Sequence, residues 1–441
     1  MRPWTGILAA CAAGLARAVL AAGPAPATAP DLVDSFPRIR QQLASSEYQE
    51  RETGQKELDK LPPTLLEPLR ALAAKEADPE VKARIEERLD AMELYGLTHP
   101  APLSVRWANA TLAEVAADLN AQLGDALILP VAGPGKYTLA ADNQSFWDII
   151  NQLNRQSPLN VASSLTVSSG MTRYVLRLQQ LAAAPPTYNL IDTFAVTPQI
   201  SGQPATGNWM MLVRGFSDPR VRVMQYSQLR LEKITDQDGN SLLPLVLTNS
   251  TAMINSIRPM IAWSSYATLN AAPTVTRIKE LRASIALSLL EKETTVAIDL
   301  SKEAAPIDGP HGKITVEQIP AANGTFMLRI TASTAAANSP PVSTLARSLP
   351  LTIRVLDKDG KVLQNTLAIQ STFSGVTQIG MPAQVAAGSP SKVELTWPDK
   401  TRDMVLHVEL QDIEIPAALP VVQPLPGVLP IPAIKPLVLP Q

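Results

Sequence analysis

The sequence predicts a multidomain α+β protein: a short α-helical segment, a small α+β module, and then mainly antiparallel β-sandwich domains. Three observations predict this order. Apolar residues recur at helical spacing near the N-terminus, the period switches several times within 103–178, and strict alternation dominates 188–416. A length of 441 residues allows about three domains. Apolar residues make up 46% of the chain, and its 39 prolines favour short strands joined by turns.

The first 23 residues are typical of an export signal. Arg2 supplies a positive start, and a run of small apolar residues follows that is too short to span a bilayer. Residues 1–23 are therefore predicted to be a signal peptide, and the Pro/Ala-rich residues 24–30 a flexible leader. Export would place the mature protein in the periplasm, the cell envelope or the extracellular space.

The single cysteine, Cys11, has two interpretations. It follows Leu8-Ala9-Ala10 as in a bacterial lipoprotein box, which would make it a lipidation site, or it is removed with the signal. Under both interpretations the chain lacks a second thiol, so disulfides and thiolate metal sites are excluded. A membrane contact is expected only through such a lipid anchor.

Residues 31–98 are predicted to form three or four short helices. Asp78-Pro79 indicates a helix start, and Pro62-Pro63 ends the helix before it. Two apolar stripes at helical spacing are the predicted core: Leu65, Leu66, Leu69, Leu72 and Ala73, and then Val81, Ile85, Leu89 and Met92. The charged helix, the Pro-rich turn, the second helix and Asp-Pro-Glu-Val together resemble a HEAT-like repeat of about one and a half units.

Residues 103–181 are predicted to form a βαββαββ module. A strand at 103–107 precedes a helix that Thr111 opens, and Ser145 opens a second helix. The other extended runs are 126–129, 136–139, 160–165 and 174–178. Trp107 is predicted to lie on the apolar face of its strand.

Two β-sandwiches are predicted over 187–303 and 310–416, with the boundary in the Pro- and Gly-rich stretch 302–312. Apolar and polar residues alternate along each predicted strand, as in antiparallel sheets with one buried face. Two turns of the form Asp-x-Asp-Gly, Asp236–Gly239 and Asp357–Gly360, each follow a strand and suggest a duplicated module. A single larger sandwich remains the alternative.

The tail, residues 417–441, is apolar and Pro-rich, and all of its prolines have even numbers. As an extended strand it would lack many N–H donors along one edge and keep all of them along the other. It therefore either adds to a sheet edge or remains an apolar extension of polyproline character.

No motif for a catalytic site, a metal site or a cofactor is found. His99, His311 and His407 are far apart, and none has a second ligand at metal spacing. A net charge of −2 argues against a nucleic-acid partner. Trp209 and Trp397 are the candidate aromatic contacts for a carbohydrate ligand, with core packing as their alternative role.

Two resemblances extend these predictions. Ala110-Thr-Leu-Ala-Glu114 and Gln144-Ser-Phe-Trp-Asp-Ile-Ile150 resemble the short N-terminal (STN) module of secretins and TonB-dependent receptors. The complete order of segments, with Arg220 and the ending Leu410-Gln-Asp-Ile-Glu-Ile-Pro416, is similar to a family of exported bacterial proteins of unknown function. Neither a barrel nor a secretin pore follows, so the first resemblance implies a docking unit, and the second supplies no catalytic residues.

The sequence thus predicts a non-enzymatic exported protein that acts as a protein-interaction scaffold for other envelope or extracellular proteins. A carbohydrate- or envelope-polymer-binding protein is the alternative. A hydrolase whose acids come together only in the fold is the second alternative.

Overall fold

The computed structural model describes residues 35–124, 127–131, 133–168, 171–181, 188–203, 208–243, 253–270, 274–301, 306–309, 312–320, 326–333, 352–363, 369–373, 376–380 and 390–415. The fold is mixed α+β with several antiparallel sheets. The chain divides into two compact units, one ending at Tyr95 and the other beginning at Gly96. The predicted signal 1–23 with Cys11, the leader 24–30 and the tail 417–441 lie outside the described residues.

The first unit contains helices with one apolar face each. They are α1 (Phe36–Leu43), α2 (Tyr48–Asp59), a 3-10 turn (Pro63–Leu65), α3 (Leu66–Ala73) and α4 (Pro79–Thr98). The two predicted stripes are confirmed as a core, since Leu69 is 0% exposed and Val81, Ile85 and Met92 are 1% exposed. The predicted start of α4 is also confirmed, because Asp78 Oδ1 accepts the N–H groups of Glu80 and Val81.

The second unit begins with seven elements in the predicted order. They are β1 (Leu103–Thr111), α5 (Leu112–Leu123), β2 (Ile128–Pro130), β3 (Lys136–Gln144), α6 (Phe146–Gln156), β4 (Leu159–Ser168) and β5 (Met171–Gln180). We call these elements the α+β module. Strands β1 and β3 pair with each other, and β5 lies between β2 and β4. Both helix starts follow from their caps, since Thr111 and Glu114 form a capping box and Ser145 Oγ accepts the Asp148 N–H.

Eight strands follow in the range predicted for the first sandwich. They are β6 (Asn189–Ile191), β7 (Phe194–Gln203), β8 (Asn208–Ser217), β9 (Val223–Ser227), β10 (Arg230–Asp236), β11 (Met253–Met260), β12 (Ala262–Asn270) and β13 (Arg277–Asp299). One sheet has the order β12-β8-β7-β6. The other contains β11, β9, β13 and β10, and it packs the apolar residues of β13 inward.

Eight more strands begin within or after the predicted boundary. They are β14 (Ile307–Gly309), β15 (Gly312–Pro320), β16 (Phe326–Ser333), β17 (Thr352–Asp357), β18 (Val362–Leu363), β19 (Ile369–Phe373), β20 (Val376–Gly380) and β21 (Pro390–Glu414). Strand β21 pairs with β13 along nearly the whole length of both. The ranges 187–303 and 310–416 therefore share one seven-stranded sheet, ordered β11-β9-β13-β21-β17-β18 with β10 also on β13. The boundary at 302–312 interrupts the chain but not this sheet.

The strand order repeats itself across this boundary. Strands β6, β7 and β8 form an antiparallel meander, as do β14, β15 and β16. Strand β12 lies next to β8, and β20 lies next to β16. Strand β10 pairs with β13, and β17 pairs with β21. These pairings thus recur on both sides of the boundary, and β13 and β21 join the two sets, while the β9–β11 pair has no counterpart among the described strands that follow it.

A pair of bulges at the centre of the β13–β21 ladder keeps both cores on one side of it. Glu291 in β13 and Asp399 in β21 are each skipped by the register. Most buried apolar residues of β13 before the bulge are odd-numbered, such as Leu287 and Leu289, whereas Ile298 after it is even-numbered. Side chains alternate strictly along a strand, so one extra residue changes which numbers, odd or even, face inward. With one extra residue in each strand, the inward residues before and after the bulge lie on the same face of the sheet.

Candidate functional site

The junction between the α+β module and the first sandwich is the best-built polar and aromatic site among the described residues. Its centre is Trp147 of α6, whose ring lies 5.9 Å from the rings of both Tyr188 and Phe216. All three side chains are buried and belong to one continuous core with the module. The Tyr188 hydroxyl accepts the Val161 N–H at 3.0 Å. Burial raises the pKa of Tyr188, so this hydroxyl stays neutral at physiological pH.

An arginine holds the edge of the same junction. Asp218 follows β8, and its two carboxylate oxygens accept from Arg220 Nε at 2.9 Å and Nη2 at 2.8 Å. Arg220 Nη1 donates to the carbonyl of Ala101, directly before the module, at 2.5 Å. The Asp218 side chain is 3% exposed, and the bidentate contact pairs this buried carboxylate with a cation. The arrangement fixes the start of the module to the β8–β9 loop, and it presents no nucleophile beside a proton acceptor.

A second charge cluster lies at the paired bulges. Glu291 accepts from Lys400 Nζ at 2.5 Å and from Arg402 Nε at 3.0 Å. Beside it, Lys292 Nζ lies 2.6 Å from an oxygen of Asp399. Burial alone would raise the pKa of Glu291, but the hydrogen bonds from Lys400 and Arg402 outweigh it, so this pKa lies below its usual value. Each carboxylate of the cluster is paired with a lysine or an arginine, as expected for charged residues that stabilise the contact between two strands.

The two Asp-x-Asp-Gly turns use their first aspartate in the same way. In each turn this aspartate's Oδ1 accepts the backbone N–H groups two and four residues further on, at 2.9 and 2.8 Å. Gly239 has φ +88° and Gly360 has φ +79°, a conformation that favours glycine. The hydrogen bond from the Asn240 amide, with help from backbone N–H groups, lowers the pKa of Asp236. Both buried acids therefore serve to close a turn.

The two aromatic residues predicted as ligand contacts are buried. Trp209 is 2% exposed and Trp397 is 3% exposed, because both lie on the inward face of their strands. Neither ring offers a face to a carbohydrate in this structure, and the core-packing alternative describes them. Trp107, predicted to be buried, is 8% exposed, and its Nε1 donates to Asp118 at 2.9 Å.

The other sequence candidates do not come together. His407 is exposed on the polar face of β21, His99 contacts the Thr98 hydroxyl, and His311 lies outside the described residues. Within the described part of the chain, no three His, Cys, Asp or Glu side chains are grouped to hold a metal ion. Arg220 and Glu291 were not predicted as site residues, because the Ala101 carbonyl, Lys400 and Arg402 that they contact are more than a hundred residues away in sequence.

Comparisons with protein-family models, with curated proteins and with solved structures find no match to this chain. Among the helices that the structure describes, none combines the length and the apolar composition needed to cross a bilayer.

Proposed function

We propose that this chain is a non-enzymatic exported protein of the bacterial envelope or extracellular space, and that it acts as a protein-interaction scaffold. The observation that carries the proposal is the core shared by the α+β module and the first sandwich around Trp147, Tyr188 and Phe216. A module that shares a core with its neighbour is presented to a partner in a fixed orientation, because moving it would expose the apolar surface that they share.

The details of the proposal rest on the arrangement of elements. The βαββαββ order of the module is consistent with an STN-like docking unit, and the short helices of the first unit around one apolar core are consistent with a HEAT-like segment. Helix α5 leaves Ala113 and Ala117 exposed beside the buried residues of its other face. We assign partner contacts to the module and to the helical unit, and a spacing role to the two sandwiches.

Site-specific photo-crosslinking tests this assignment. A photoreactive residue replaces Ala117 on the module, and a matched control replaces Lys279, which is exposed on β13. The mature protein is incubated with envelope proteins and, separately, with isolated envelope polymer. The proposal expects a discrete protein adduct from position 117 and none from position 279. Adducts of equal yield from both positions, or retention on the polymer alone, would contradict it.

A further inference from the structure

The two helices of the α+β module carry the same residue pattern at a constant offset of 34 positions. Each follows an asparagine of positive φ, which is 55° at Asn109 and 54° at Asn143. Two positions later, the Thr111 and Ser145 hydroxyls each accept the N–H group three residues further on. The buried residues of the two helices correspond in order: Leu112 with Phe146, Val115 with Ile149, Ala116 with Ile150, and Leu119 with Leu153. The two helices therefore begin and pack in the same way.

The polar contacts of the adjoining strands repeat at the same offset. The Ser104 N–H donates to Gln122 Oε1 at 3.3 Å. In the second half, the Thr138 N–H donates to Gln156 Oε1 at 3.0 Å. The Ser104 and Thr138 hydroxyls each accept an N–H group from the other half, at 3.2 and 3.0 Å. The residue pairs of the β1–β3 ladder also exchange places under this offset. The module thus consists of two similar halves, related by a pseudo-two-fold axis between β1 and β3.

The two halves differ in what covers the outer side of their helix. The second residue of α6 is Trp147, which is 1% exposed because its ring packs 5.9 Å from the rings of Tyr188 and Phe216. The second residue of α5 is Ala113, which is exposed. The first sandwich thus covers one of two equivalent places on the module, and the other place is open in the part of the chain that the structure describes.

The open side of α5 is small and uncharged. Ala113, Ala117 and Ala121 are exposed and lie along one line of the helix, since they are four residues apart. We call these three alanines the α5 face. The exposed side of α4, by contrast, carries charged residues such as Lys82 and Glu86, as is typical of a solvated helix. A neighbour can approach the α5 face closely, because no charge there has to be removed from water.

The occupied place indicates the chemistry of a neighbour for the open one. On α6 the neighbour is a β-sheet that presents aromatic rings, and Trp147 fills the space between the helix and that sheet. Ala113 leaves the corresponding space to be filled by a large side chain of the neighbour, because close packing tolerates few voids. A second copy of this chain cannot fill it with the same surface, since its own Tyr188 and Phe216 are buried against its own α6.

We propose that the α5 face binds a β-sheet of another protein, which places an aromatic side chain over Ala113. This inference rests on the proposed scaffold function and names the chemistry of the partner's surface. The module would then hold a sheet on each half, the first sandwich on α6 and the partner on α5. Because the two places belong to different helices, the partner binds without displacing the sandwich.

Cross-linking in variants of graded size tests this inference. A photoreactive residue replaces Ala117 in the full chain, and its adduct yield with an envelope protein extract is measured with Ala113 unaltered and as Ala113→Ser, Ala113→Leu and Ala113→Trp. We expect Ala113→Trp to lower the yield about tenfold, because its ring takes the space that the partner's ring requires. Ala113→Leu should lower the yield less, and Ala113→Ser should leave it unchanged. The matched control is Ala83→Trp, at an exposed alanine of α4, which should also leave it unchanged.

The position of the linked residue in the partner is the second measurement. Mass spectrometry of the adduct should place it in a β-strand, next to an aromatic residue. A linked residue in a helix or a loop would overturn the β-sheet assignment. An adduct to residues 35–95 of the same chain would mean that the helical unit, and no partner, contacts this face.

The remaining outcomes separate this inference from the scaffold proposal. Equal yields from Ala113→Trp and the unaltered chain would overturn the inference and leave the scaffold proposal standing. The absence of any adduct from position 117 would contradict both. Hydrogen exchange at Val115 and Leu119, buried in α5, should be the same in all variants, which shows that a lower yield does not come from unfolding of the helix. If Ala113→Trp alone sped this exchange, the yields of Ala113→Leu and Ala113→Ser would decide, and equal yields from these two would overturn the inference.

Discussion

Replacing Trp147 with alanine tests whether the module and the first sandwich share one core. Trp147 is 1% exposed, and its ring lies 5.1 Å from Phe146 and 5.9 Å from both Tyr188 and Phe216. Removing a buried tryptophan side chain costs about 3–5 kcal/mol of unfolding free energy. Each aromatic pair contributes about 0.5–1.5 kcal/mol beyond burial. The two pairs with Tyr188 and Phe216 should therefore account for about 1–3 kcal/mol of this loss.

Urea unfolding together with hydrogen exchange measures both parts of this effect. We expect Trp147→Ala to lower the unfolding free energy by about 3–5 kcal/mol and to speed exchange in β7 and β8, at Ala195 and Phe216, as well as in α6. The matched control is Trp147→Phe, which keeps an aromatic ring. The Trp147 Nε1 has no hydrogen-bond partner among the described residues, so this control loses no polar contact and should cost clearly less than the alanine variant, because it leaves a smaller cavity.

One result would refute the reasoning. If Trp147→Ala sped exchange in α5 and α6 but left Ala195 and Phe216 unchanged, the ring would stabilise the module alone. The module would then be connected to the sandwich without energetic coupling, and the proposed fixed presentation would lose its main support.

Three further predictions concern the charged and turn residues. Arg220→Ala should lower the unfolding free energy by about 2–4 kcal/mol in urea, because Asp218 is left buried without its partner. Gly239→Ala and Gly360→Ala should each lower the unfolding free energy by about 1–2 kcal/mol, and by similar amounts, since both residues have positive φ and open space around them. Glu291→Gln should remove a pH-dependent contribution: the pKa of Glu291 is lowered by folding, so its stabilisation is present above about pH 4.3 and is lost as pH falls through the folded value.

Each of these predictions has a control. Arg220→Lys keeps the charge but not the bidentate geometry, so full stability in that variant would show that the paired hydrogen bonds are unimportant. A large difference between the two glycine variants would argue that the turns are not equivalent. A urea midpoint for Glu291→Gln that differs from the unaltered chain by the same amount at pH 7 and pH 3 would contradict the assigned pKa direction.

Local signals in the sequence predict much of this fold. Asp78-Pro79, Thr111 with Glu114, and Ser145 are found as helix starts, because a cap acts within one turn of the helix. Leu406, Val408 and Leu410 alternate with exposed neighbours, as expected for a strand with one buried face. The two Asp-x-Asp-Gly turns also form as predicted, since their hydrogen bonds join residues at most four apart.

The sites could not be predicted in the same way. Alternation indicates that Trp209 and Trp397 share a face with other apolar residues, but it does not reveal which layer covers that face. The pairing of β13 with β21 joins residues more than ninety positions apart along its whole length, and no local period encodes a partner. The contact of Arg220 with the Ala101 carbonyl could not be predicted for a further reason. Every residue has a backbone carbonyl, so nothing in the sequence distinguishes Ala101 as its partner.

The paired bulges explain how the strands on the two sides of the predicted boundary can be joined through β13 and β21. Two sets of strands that share a ladder place their cores on the same face only if the inward side of each strand stays the same across the joint. In β13 the parity changes between Leu289 and Ile298, and one additional residue, Glu291, compensates for it. Asp399 is the corresponding extra residue in β21, so each of the two paired strands contains one bulge at the joint. Because a bulge leaves its extra residue outside the ladder, both positions carry charged side chains that pair with neighbouring lysines. The joint is thus polar between the two halves of the ladder, and the paired bulges account for the charge cluster there without a ligand.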